Sequence, residues 1–270
     1  MLNKLCFLIM IFFSGCASVD KSHTSLILKD LNTICEISPN FVPQKCVYAR
    51  IENTAFVMEK NSNKIHIYKD SEKINTIGGL GFSEYSFNKL SDISLSPDGN
   101  LLVLDSFDKV IKKFDKQGKY ITEFNFDFLL KPKIFDISLD ETLYIYDQGR
   151  KEIVGKRSTE AEESFSFGKF ILTEPASLIV NEGIVQVYDI EVDKTFIFNL
   201  WGDLIQEYAG KVLLHKKQIY QLAGNFLIKF PEKEKFAFNI LPWNSFYLKY
   251  DSIILNSENK ILISEFIYEN

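Results

Sequence analysis

Two stretches decide the fold: DISLSPDGNLLVLDS, Asp92 to Ser106, and DISLDETLYIYDQ, Asp136 to Gln148. They start 44 residues apart and share one plan. An apolar strand runs into a polar turn, and a second apolar strand ends on an aspartate. That terminal acid is Asp105 in LLVLDS and Asp147 in TLYIYDQ, and it returns as Asp189 in IVQVYDI, at spacings of 42 and 42. Glu59 in TAFVMEK precedes the series by 46 residues, and Gln221 and Glu265 follow it at 32 and 44. Between these landmarks β-branched and aromatic runs alternate with Gly, Pro, Asn and Asp turns, which marks many short strands. SDISLSP, LLVLDS, VIKKFDK and YITEFNF make one set of four strands, with SPDG and DKQGK as turns. A unit of about 40 residues that holds four strands is a propeller blade.

The stretch SPDGNLLVLDSFDKVIKKFDKQGKYITEF resembles an NHL-type repeat, and the six landmarks resemble six-bladed propeller lipoproteins. The resemblance implies an all-β, six-bladed β-propeller over residues 26–270. NHL repeats often place a basic residue five positions after the landmark acid. Val110 stands there in this unit, whereas Lys64 and Lys194 occupy the position in others. The architecture is therefore carried over and the RNA binding of some NHL proteins is not. Few residues follow Glu265, so the last unit lacks outer strands of its own. The apolar stretches between Leu26 and Ser38 are expected to supply them and close the ring, leaving fewer exposed strand edges.

The N-terminus is read separately. MLNKLCFLIMIFFSGC carries Lys4, an apolar run from Leu5 to Phe13, a small pair and Cys16. A charge followed by a short apolar core describes a signal peptide, residues 1–15, too short to span a bilayer as a helix. FSGC resembles the lipobox of bacterial lipoproteins, which implies lipidation (palmitate-type acyl chains) at Cys16. Two acyl chains, each contributing about 0.8 kcal/mol per buried methylene, anchor stably. Residues 16–25 then form the lipidated cysteine and a polar tether. Ala17 in place of Asp implies a cell-envelope address at the outer membrane. Loss of Lys4 with the leader takes the formal charge from −5 to −6. An acidic chain of this kind is not expected to bind nucleic acid.

Cys35 and Cys46 remain, an even pair in an oxidising compartment, and are expected to form a disulfide. A loop this short contributes roughly 2–3 kcal/mol in the chain-entropy model. Among catalytic patterns, G-x-S-x-G and H-E-x-x-H are absent, and the glycines of IGGLGF (Gly78, Gly79, Gly81) lack the context of a phosphate loop. His23, His66 and His215 fall in different units, which does not suit a three-histidine zinc site. The recurring acids Asp105, Asp147 and Asp189 are expected to be structural, because they keep the period of the fold. The lysines of VIKKFDKQGK read as a solvated outer strand, and Trp201, Trp243, Phe246 and Tyr247 as packing aromatics.

Two functions are compatible with this reading. The first is a binding or scaffold module, rather than an enzyme, that needs no cofactor and takes a protein, peptide or glycan ligand at the envelope. The alternative is a metal-dependent hydrolase or lactonase-like propeller. For that alternative, Asp92, Asp136 and Asp251 are the candidate ligands of one divalent cation such as calcium, because each is expected at the start of an innermost strand.

Overall fold

The computed structural model describes residues 25–28, 32–36, 41–157, 163–223, 226–231, 233–237, 243–249, 252–257 and 260–269. These residues form an all-β propeller with no helix among them. Two strands open the chain, β1 (Ser25–Leu28) and β2 (Asn32–Glu36). Five regular four-stranded antiparallel blades follow. Blade 1 is β3 (Pro43–Ala49), β4 (Thr54–Glu59), β5 (Lys64–Lys69) and β6 (Glu72–Gly78). Blade 2 is β7 (Leu90–Leu95), β8 (Leu101–Asp105), β9 (Val110–Phe114) and β10 (Tyr120–Asn125). Blade 3 is β11 (Pro132–Ile137), β12 (Thr142–Asp147), β13 (Glu152–Arg157) and β14 (Phe165–Phe167). Blade 4 is β15 (Pro175–Asn181), β16 (Ile184–Asp189), β17 (Lys194–Asn199) and β18 (Leu204–Ala209). Blade 5 is β19 (Val212–His215), β20 (Gln218–Ala223), β21 (Phe226–Phe230) and β22 (Glu234–Ala237).

The last sheet corrects the count of six blades to five regular ones. It contains β23 (Trp243–Lys249), β24 (Ser252–Ser257) and the long β25 (Lys260–Glu269), and both β1 and β2 pair with β25. Glu265 therefore lies inside a third strand, opposite Ser252, and does not end a second one. The frame slipped by one strand because the landmark acid is missing from this unit. Phe41, Cys46, Ala55 and Val57 of the blade 1 region share one apolar cluster with Ile254, Ile261 and Ile263 of this sheet.

The quoted repeat has a local explanation. In both copies a serine follows the first strand and a tight turn reverses the chain. Ser96 N–H bonds Asn100 O at 2.9 Å, and Ser138 N–H bonds Thr142 O at 3.0 Å. The serine hydroxyl donates to the turn aspartate, Asp98 or Asp140. The left-handed position is Gly99 (φ 78°) in one turn and Glu141 (φ 62°) in the other. Glycine adopts that region without steric cost, and Glu141 is held there by the same hydrogen bonds.

The second strand of each unit is apolar at successive positions because both of its faces are buried. Leu101 and Val103 join the cluster shared with blade 1, whereas Leu102 and Leu104 join the one shared with blade 3. Leu143 and Ile145 face blade 2, and Tyr144 and Tyr146 face blade 4. Alternate residues of a strand point to opposite faces, so one strand serves two interfaces. Full burial of each such side chain stabilises by about 1.5–3 kcal/mol.

Two further expectations are corrected. Lys112 is buried in a third strand, donates to Ser86 O at 2.9 Å and lies over the Phe87 ring. Lys113 and Lys116 are paired with Asp98 and Glu52. These lysines join elements and do not guard a strand edge. Trp201 is exposed on the turn after β17 and contacts Phe165 from outside the core. The side chains of Trp243, Phe246 and Tyr247 lie outside the described residues.

Candidate functional site at the channel mouth

The landmark acids build one face of the disc. Asp105 ends β8 and accepts the backbone N–H groups of Asn88 (2.6 Å), Lys89 (3.1 Å), Phe107 (3.0 Å) and Asp108 (3.2 Å). Asp147 repeats the arrangement with Leu130 (2.6 Å), Lys131 (2.9 Å), Gly149 (2.8 Å) and Arg150 (3.3 Å). Asp189 takes Thr173, Glu174 and Glu191. All three aspartates are buried. Each carboxylate thus ties the chain entering the innermost strand to the loop leaving the second. Their structural role is the one expected from their period.

The loops held in this way surround a funnel of about 1040 Å³ at the start of the inner strands. Lys89, Lys109, Lys131 and Lys133 line it, with Glu59 and Glu174 as its carboxylates and Phe107, Leu130 and Ile190 as its exposed apolar groups. Lys133 lies 3.5 Å from Glu174.

Blade 1 breaks the pattern. Glu59 stands where blades 2, 3 and 4 carry a buried aspartate, and it faces His66 Nε2 at 3.2 Å. His66 Nδ1 is 3.1 Å from the Thr76 hydroxyl, and Phe41 packs edge-on against the ring. Burial pushes His66 below the ordinary imidazole value; the bond to Glu59 opposes this, and Lys73 and Lys64 add to the lowering. Burial would raise Glu59, but interactions with Ser62, His66 and Lys64 outweigh it and hold the carboxyl below its usual range. The pair is therefore a carboxylate beside a neutral imidazole at neutral pH. Periodicity could not find it, since Glu59 reads as one more landmark, and only the substitution of Glu for Asp marks it.

Asp92 and Asp136 sit inside β7 and β11, below the mouth. Asp92 Oδ1 accepts from Lys45 Nζ (2.8 Å) and Ile93 N (2.9 Å), and its Oδ2 accepts from Phe135 N (2.9 Å) of the next blade. Asp136 accepts from the Ser94 hydroxyl of the previous blade and from Val180 N (2.7 Å) of the next. Both stitch neighbouring inner strands. Burial raises the Asp92 carboxyl, and Lys45 together with the two amides pulls against that. This arrangement does not fit a calcium centre. A lysine ammonium holds one carboxylate, and a serine hydroxyl and two strand amides engage the remaining oxygens of the described pair. Asp251, the third expected ligand, lies outside the described residues.

Other sequence candidates are dispersed. His215 is buried in blade 5 with Nδ1 2.7 Å from Glu182 Oε1, away from the funnel. Cys46 is buried in β3, and Cys16 lies outside the described residues. The backbone of Cys35 is registered against Ile261, which packs in the same cluster as Cys46, but the Cys35 side chain lies outside the described residues.

No protein-family model and no curated protein matches the sequence. Solved propeller enzymes match the fold. A gluconolactonase from Xanthomonas campestris superposes with a TM-score of 0.62 at 8% identity, covering 88% of this chain and 89% of that one. A streptogramin B lyase gives 0.58 at 13%, covering 89% and 98%. A catalytically inactive virginiamycin B lyase from Staphylococcus aureus, solved with quinupristin, gives 0.54 at 13%, covering 80% and 78%. The chain is an all-β propeller. At these identities the likeness is one of fold.

Proposed function

We propose that this chain is a propeller enzyme of the lactonase or lyase kind, with its substrate seated in the funnel over the channel mouth. The observation that carries the reading is the shape of the face. A concavity of about 1040 Å³ walled by neighbouring blades suits a small molecule, for which pockets of roughly 300–1,000 Å³ are usual. A protein partner would call for a flatter and more extensive surface. The likeness in fold to a gluconolactonase and to streptogramin-type lyases agrees with this reading. In this scheme the funnel lysines polarise the carbonyl and hold the carboxylate released on ring opening. Glu59 takes a proton from the water that attacks the carbonyl and returns it to the ring oxygen as the acyl carbon–oxygen bond breaks, and His66 orients its carboxylate. No step passes through a metal.

The test is turnover of a panel of lactones by the purified protein. Ring opening that is lost in Glu59→Gln and retained in Glu207→Gln, far from the funnel, supports the proposal. Absence of turnover across the panel by the wild type removes it.

A second reading is binding without chemistry. Both ring nitrogens of His66 are already engaged, which leaves the funnel without a histidine base. A membrane-anchored module for a peptide, glycan or protein would need only the concave face. The same proposal covers the address: lipidation at Cys16 after signal cleavage, tethering at the outer membrane, and a Cys35–Cys46 disulfide. It also takes the five-stranded sheet as a sixth blade that β1 and β2 complete, closing the ring.

A further inference from the structure

We infer that the funnel selects a small amphiphilic anion, a carboxylate, phosphate or sulfate carried on an apolar body; this rests on the funnel being the ligand site. The first support is placement. Lys89 and Lys131 hold equivalent positions, one residue before the inner strands of adjacent blades, and Asp105 and Asp147 fix their backbones there. Lys109, in a left-handed turn (φ 55°), and Lys133 line the same wall. Blade repetition therefore sets several ammonium groups around one cavity.

The second support is pairing. The chain is acidic, at −5, and several lysines elsewhere on the disc have carboxylate partners: Lys45 with Asp92, Lys113 with Asp98, Lys116 with Glu52 and Lys194 with Glu207. Among the described residues Lys89, Lys109 and Lys131 make no ion pair. Clustered like charges repel one another, and an anion between them removes that cost. The corresponding position in blade 4 is Glu174, and Glu59 stands on blade 1, so the funnel has a basic wall and an acidic one. This polarity orients an anionic head toward blades 2 and 3.

The third support is the apolar rim. Phe107, Leu130 and Ile190 are 72%, 63% and 56% exposed around the lysines. Burying such area is favourable, a contribution that a bare inorganic anion cannot recruit. A neutral sugar would leave the ammonium groups without counter-charge. A ligand with a charged head and an apolar body uses both features.

Calorimetric titration of the purified protein with octyl phosphate, inorganic phosphate and octanol tests this directly. Octyl phosphate should bind at least about tenfold more tightly than either partial probe, because head and tail contribute together. In Lys89→Gln/Lys131→Gln its affinity should fall by about tenfold or more while octanol binding stays unchanged. Both lysines are exposed, so the variant should keep the wild-type melting temperature. Equal binding of octyl phosphate by the wild type and the double variant overturns the inference. Octanol binding in the funnel, tighter than octyl phosphate and insensitive to the lysines, also overturns it but leaves the funnel as a ligand site. If no probe perturbs the amide signals of Ser106, Leu130 and Gln148, both readings fall.

Discussion

Asp147 accepts the backbone N–H of Lys131 at 2.9 Å, and through that bond a repeat residue positions a residue of the funnel wall. Asp105 does the same for Lys89. An acid that recurs in blades 2, 3 and 4 is not itself poised for chemistry, since turn amides consume its oxygens. It fixes the loops that carry the variable groups. Structural repetition and functional asymmetry thus meet at neighbouring positions in the chain.

Replacing Asp147 with alanine should leave four amides without their acceptor in a buried turn. Unsatisfied buried donors and their lost bonds should destabilise the domain by roughly 2–4 kcal/mol. Chemical denaturation of Asp147→Ala beside Asp108→Ala, an exposed residue of an adjacent loop, measures it. Equal losses would show that the carboxylate does not hold the turn.

Much of this architecture was legible in the sequence because strand periodicity and landmark acids report directly on backbone geometry. Asp105, Asp147 and Asp189 were readable since each marks a second strand that ends in the same turn. The final sheet was misframed because it has no such acid, and Glu265 lies mid-strand. The setting of Asp92 and Asp136 was not legible, because their contacts are made across blades, from Lys45, Phe135 and Val180, 43 to 47 residues away in the chain. The funnel was invisible for the same reason. Nothing in the sequence joins Lys89, Lys109 and Lys131 until the fold sets blades 2 and 3 side by side.

Gly155 is a packing position. A methyl group there would lie 2.2–2.5 Å from the Phe165 ring, its partner across β13 and β14. Gly155→Ala should destabilise by about 1–3 kcal/mol through overpacking. The double change Gly155→Ala/Phe165→Leu should recover part of the loss. A neutral single variant in thermal denaturation would show that the ring is free to move away.

His66 should make stability sensitive to mild acid. Its folded-state pKa lies below the ordinary 6.5, so the unfolded chain takes up a proton that the folded chain resists. Its contribution is full above that value and is lost as pH falls toward the folded pKa. Glu59, also lowered, loses stability in the same direction at lower pH, beneath 4.5. His66→Gln should therefore flatten the stability profile between about pH 7 and pH 5. Denaturation midpoints across that range check it, and an unchanged slope would contradict the assignment.

The N-terminal strands should matter far more than the tether before them. β1 and β2 both pair with β25. Deleting Leu26 to Ser38 should expose that strand's edge and cause aggregation, whereas deleting Ser18 to Thr24, short of β1, should not. Peptide mapping without reduction should find Cys35 joined to Cys46. Fatty-acid labelling should be lost in Cys16→Ser. Full retention of the melting temperature after the longer deletion would rule out closure by these strands.

The account rests most heavily on the funnel as the seat of the ligand, and a crystal structure of the protein with octyl phosphate tests that directly. The account predicts the phosphate between Lys89 and Lys131, with the alkyl chain along Phe107 and Leu130. A ligand bound instead on the opposite face, in the cavity of about 360 Å³ beside Asp140, Asn181 and Gly183, would contradict it.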